Sequence, residues 1–256
     1  MIAAMNALAD QTEVAVWTAF IVFARVGAIF AVLPLFGEQS IPARIRLILA
    51  VAVSLLVWPA VTLPSVATLS GADFVLILLM EIPNGLVLGI FLRILIHGLQ
   101  IAGSIAAQST SLSQILGGAA VDPQPAVGHI LLVAGLALLV SMGFHVKLVG
   151  FVVVTYDFLR IGSLPNPLEL ADAGVRHVAQ MFALGLGLAA PFVISATIYN
   201  IALGAINRAM PQLMVSFVGA PALTGAGLII LALTAPLMLG IWVGTVHDFL
   251  SHPFGG

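Results

Sequence analysis

Six stretches of this 256-residue chain are almost wholly apolar, and their lengths leave few folds open. They run from Val14 to Phe36, Ile45 to Leu63, Phe74 to Ala107, His129 to Tyr156, Val178 to Ile201 and Phe217 to Phe249. A helix crosses roughly 30 Å of hydrocarbon with about 20 apolar residues, and each stretch is about that long or longer. Barrel strands would alternate apolar and polar residues with period two, a pattern missing here. The sequence therefore predicts an all-α integral membrane protein, a single membrane-embedded body over residues 1–256.

Composition supports that reading. Hydrophobic residues make up 61% of the chain and charged ones 7%, against about 25% charged in ordinary soluble domains. A soluble fold so poor in charge has little with which to cover its surface. Eight Lys and Arg stand against ten Asp and Glu, with no basic run, which sets nucleic acid aside as a partner. The absence of cysteine removes thiolate metal sites, disulfides and cysteine nucleophiles. Met1 to Glu13 contains no Lys or Arg, unlike the basic start of a cleavable signal peptide, so the first apolar segment is expected to direct insertion.

Simple alternation across a bilayer fits less well. The third and sixth stretches, of about 34 and 33 residues, exceed one plain span, and glycines and prolines interrupt them: Pro83, Gly85 and Gly89, then Gly225, Gly227, Pro236 and Gly240. Kinks or breaks are expected in both. Trp17, Trp58 and Trp242 lie toward the ends of their stretches, where interfacial aromatics sit. With alternating spans, Arg44, Arg46 and Arg208 fall on one side and Lys147, Arg160 and Arg176 on the other, which is no orienting bias.

Arg25, Glu81, Arg93 and Lys147 lie inside apolar stretches, where a charge costs about 2.5–3.5 kcal/mol on insertion scales and usually finds a partner. Glu81 and Arg93 are more than three turns apart and cannot pair along one straight helix. Either these charges line an ion or proton pathway or they pair between helices or subunits, and the lack of a second carboxylate near Glu81 favours pairing. Gly85 with Gly89, Gly103 with Ala107 and Gly185 with Ala189 have the spacing that lets helices approach closely. From Gln108 to Asp122 a run of Gln, Ser and Thr gives way to Leu116, Gly117, Gly118, Ala119, Ala120 and Val121. Such a segment at membrane depth lines or plugs a cavity, unless it is an ordinary surface loop. The six histidines have no metal-ligand spacing, and no G-x-S-x-G elbow occurs, so neither catalysis nor a cofactor is expected.

An ordered set of residues resembles a known family. FIVFARVGAIFAVLPLFGEQSIPARIRLILA begins at Phe20; Glu81 precedes Gly85 and Gly89; Asp122-Pro123 closes the small-residue loop; Gly143 to His145 lies in the fourth stretch; and LGAINRAMPQLMVSFVGAP runs from Leu203 to Pro221. Together they resemble the FliR family, components of the flagellar type III export gate whose injectisome counterpart is SctT. The resemblance implies kinked or broken helical hairpins within a hetero-oligomeric gate in the bacterial inner membrane, at the flagellar basal body. It implies FliP and FliQ as subunit partners, FlhB and FlhA alongside, membrane lipid around the complex, and unfolded rod and other flagellar subunits as cargo. It also implies a channel plug over Leu116 to Val121 with Asp122 at its end. In such an assembly Arg25, Glu81, Arg93, Arg208, Pro211 and Gln212 are the candidates for packing subunits together. The alternative is a small secondary transporter or channel, which would want inverted repeats that the chain does not display.

Overall fold

A computed structural model describes residues 2–33, 42–61, 70–111, 126–210 and 215–253. Among them every regular element is helical: α1 (Ile2–Val32), α2 (Ala43–Val57) continuing into a 3-10 turn (Trp58–Ala60), α3 (Gly71–Ser111), α4 (Ala126–Ser141), α5 (Phe144–Phe158), α6 (Pro167–Ala209) and α7 (Val215–Ser251). Five helices are long and apolar enough to cross a membrane, and α4 with α5 forms a broken sixth candidate. These correspond to the six apolar stretches.

Local chemistry sets the helix starts. Ser70 and Asp73 cap α3 reciprocally: Asp73 N donates to Ser70 Oγ at 3.3 Å, and Ser70 N donates to Asp73 Oδ2 at 3.1 Å. At α6, Asn166 Oδ1 accepts from Leu168 N at 3.1 Å, Pro167 fills the first helical position, and Glu169 bonds back to the Asn166 amide.

Of the kinks or breaks expected in the third and sixth stretches, no break occurs within α3 or α7. α3 runs unbroken through Pro83, and α7 through Pro236. The break comes instead in the fourth stretch, where Gly143 takes a φ of +76° and ends α4 before α5 begins. A left-handed residue stops a helix outright, and glycine adopts it without a Cβ clash. A proline only removes one bond, which neighbouring groups in a membrane protein can offset.

The chain divides into two compact units. The first comprises Met1–Ile94, Gly143–Arg176 and Asp248–Gly256; the second comprises Leu95–Met142 and His177–His247. In the first, α1 buries Val22, Val26 and Ile29 along one face, and Leu33 just beyond its end is buried too. It meets α3 almost backbone to backbone. A Cβ at Gly85 would overlap the Arg25 carbonyl oxygen and stand 2.7 Å from Ala28 Cβ, and one at Gly89 would stand 3.0 Å from Ile29 O. The Gly85–Gly89 spacing thus serves close approach. Phe151 and Phe249 pack with ring centroids 5.8 Å apart.

The second unit is built on the same principle. A Cβ on Gly103 would overlap the Gly128 backbone, and one on Gly185 would stand 3.0 Å from Gly98 O. Trp242 corrects the interfacial expectation: it is fully buried, and its indole N–H donates to Leu95 O at 2.8 Å. Its distance from the end of a stretch did not reveal the acceptor on another helix. Trp17 is exposed and meets Phe74 edge-on at 4.2 Å.

Candidate functional site

The polar centre of the first unit forms around Arg25 and Glu81, both completely buried. Apolar neighbours on α1 carry Arg25 inward. On α3, Glu81 and Asn84 lie three residues apart, on one helical face. Arg25 Nε donates to Glu81 Oε2 at 2.6 Å. Its Nη2 donates to the Leu159 carbonyl at 2.8 Å, in the turn after α5. The other carboxylate oxygen, Oε1, accepts from Gly162 N at 3.1 Å, and Asn84 Nδ2 donates to Ser163 O at 2.9 Å. The Arg25 guanidinium also lies over Tyr156, 3.8 Å from the ring centroid, an attraction that strengthens where water is excluded.

Two side chains from α3 and one from α1 thereby grip the turn between α5 and α6. With its two oxygens held by Arg25 and Gly162, Glu81 has no histidine or second carboxylate bonded to it among the described residues. The bonds tie α1, α3 and the turn after α5 together in one polar latch. It is not fully saturated: Arg25 Nη1, Asn84 Oδ1 and the Tyr156 hydroxyl have no hydrogen-bond partner among the described residues.

The remaining sequence candidates do not join this centre. Arg93 is exposed on α3, Arg208 is exposed near the end of α6, and Lys147 is half-buried on α5. Leu116, Gly117, Gly118, Ala119, Ala120, Val121 and Asp122 lie outside the described residues, as do Pro211 and Gln212. Asn84 and Tyr156 were missed. The one asparagine in the third apolar stretch and one of only two tyrosines in the chain were the available signals. Among the described residues no three His, Cys, Asp or Glu gather into a metal-binding group.

Comparison with known proteins covers nearly the whole chain. A family model described as bacterial export proteins, family 1, matches residues 16–249. The flagellar biosynthetic protein FliR of Caulobacter vibrioides is 34% identical over 252 residues, covering 96% of this chain and 99% of its own. The FliR of Aquifex aeolicus is 28% identical over 237 residues, 91% of each chain. That of Escherichia coli is 29% identical over 220 residues, 84% of this chain and 82% of its own.

Proposed function

The chain belongs to family 1 of the bacterial export proteins, the flagellar FliR proteins, and from that membership we propose that it forms part of a gated conduit for unfolded flagellar subunits. It is a non-enzymatic membrane component of the flagellar export apparatus, in the inner membrane at the basal body. FliP and FliQ complete the conduit around it, with FlhB and FlhA alongside.

One observation carries the reading. α3, α6 and α7 contain 41, 43 and 37 residues, about twice what one crossing of the hydrocarbon uses. Exposed apolar side chains recur along the whole of α6, from Leu168, Phe182 and Leu186 to Ile194, Ile198 and Ile201. A single bilayer covers about half of such a helix, and apolar surface beyond it needs protein cover. Partner subunits with similar helices supply that cover.

The segment from Leu116 to Val121, ending at Asp122, acts as the plug of the closed conduit. Gly117 and Gly118 give it the backbone freedom to move aside. Its small apolar side chains close a narrow passage without gripping cargo. Deleting Leu116 to Val121 should leave the complex assembled, by size and composition of the purified material, while ion leak through cells or proteoliposomes rises. An unchanged leak contradicts the plug assignment.

A further inference from the structure

Between Leu95 and Gln108, the polar residues of α3 are His97, Gln100, Ser104 and Gln108. Their spacing of three, four and four residues sets all of them within an arc of about 80° on one side of the helix. On the opposite side Leu95, Leu99, Ala102 and Ala106 are buried. Other helices of the second unit hold that side. A Cβ on Gly103 would overlap the Gly128 backbone of α4, and Leu95 O accepts from the Trp242 indole of α7. The polar side is the open one: His97 and Gln108 are exposed, and Gln100 and Ser104 are half-buried. His97 Nδ1 and Gln100 Oε1 bond each other at 2.5 Å, along the row.

What such a face can meet follows from its chemistry. α7 of the same unit exposes Leu228, Leu233 and Leu237, which suit lipid or an apolar partner helix. The row on α3 suits neither. Against hydrocarbon, an amide or imidazole loses its hydrogen bonds with water and gains none. Against a dry partner helix, every donor and acceptor of the row needs a matched group, because one left over costs stability. Water satisfies all four residues with no matching. The row is about 16 Å long, about half the thickness of bilayer hydrocarbon. In sequence it runs on into the Gln, Ser and Thr residues up to Gln114, and then into Leu116 to Val121.

We propose that the His97, Gln100, Ser104 and Gln108 face of α3 is a wetted wall of the conduit, along which the backbone of an extended polypeptide passes. The inference rests on the reading of this chain as a conduit subunit. Two amides, a hydroxyl and an imidazole both donate and accept hydrogen bonds. They therefore meet the N–H and C=O groups of a passing chain whatever its side chains. Each such bond replaces one to water, so the hold is weak and cargo moves on.

The chain has no cysteine, so single substitutions report water access directly. His97→Cys, Gln100→Cys, Ser104→Cys and Gln108→Cys are compared with Leu233→Cys and Leu237→Cys on α7. Each full-length variant is placed in membranes that express the complete export apparatus. A small charged methanethiosulfonate is added, and labelling of this chain is followed by mass spectrometry. Thiols in the row should react about tenfold faster than the α7 pair, because only the thiolate reacts and apolar surroundings keep a thiol protonated. An export subunit fused to a tightly folded domain, stalled in the conduit, should slow labelling of the row and leave the α7 pair unchanged. Row thiols that react no faster than the α7 pair in the assembled complex overturn the proposal, and a row that a stalled subunit does not protect overturns it too. Co-purification of FliP and FliQ with the unsubstituted chain separates the two readings. Without it the conduit reading fails and this inference falls with it; with it, slow labelling of the row overturns this inference alone.

Discussion

Glu81 occupies a position where a lone carboxylate would be costly, and its stabilisation depends on a partner 56 residues away in the chain. Glu81→Ala leaves the Arg25 guanidinium buried without its counter-charge, at a cost of about 3–5 kcal/mol. In detergent this should appear as a large fall in melting temperature of the purified chain. Replacing both partners, Arg25→Met with Glu81→Leu, removes the uncompensated charge and should destabilise less than Glu81→Ala alone. A double variant as damaged as the sum of both single variants would mean that the two residues do not act as a pair. The sequence marked Arg25 and Glu81 as charges in need of partners and excluded Arg93 as the mate of Glu81 within one helix. It did not reveal Leu159 O or Gly162 N, because a backbone group carries no residue-type signature. Asn84 and Tyr156 were passed over for a related reason: only the folded turn brings acceptors and a guanidinium to them.

At the scale of elements, helix length was legible because an apolar run of about 20 or more residues has few other uses. Helix contact was legible in part. The Gly85–Gly89 spacing marks the α1 crossing, and Gly85→Val would drive a branched side chain into the Arg25 carbonyl and Ala28. A loss of about 1–3 kcal/mol is expected from such overpacking, read from denaturant or thermal unfolding. Gly150 is the matching control, because a Cβ there meets nothing within 4 Å. Gly150→Val should change stability by no more than about 0.5 kcal/mol in the isolated chain. Equal effects at both positions would contradict the close-packing account. The break at Gly143 and the burial of Trp242 were not legible. The first depends on Gly143's own left-handed backbone conformation, the second on the Leu95 carbonyl that faces the indole. Counting glycines and prolines favours α3 and α7 instead, where the same residues serve contact or are absorbed within a continuous helix.

For the whole molecule, the absent positive-inside bias and the lengths of α3, α6 and α7 point the same way. Helices with about twice the residues of one span, and apolar side chains exposed throughout, do not describe a monomer that simply weaves through lipid. They support the proposal that the chain is one subunit of a helical assembly, and the chain belongs to the flagellar FliR proteins. The buried latch holds α1, α3 and the turn after α5 together within one unit. The most direct measurement is the mass and composition of the full-length chain purified in mild detergent from membranes that express the complete export apparatus. A stable hetero-oligomer in which peptide sequencing identifies FliP and FliQ is the predicted result. A monomer or a homodimer that retains its full secretion-independent stability and carries neither partner would contradict the account.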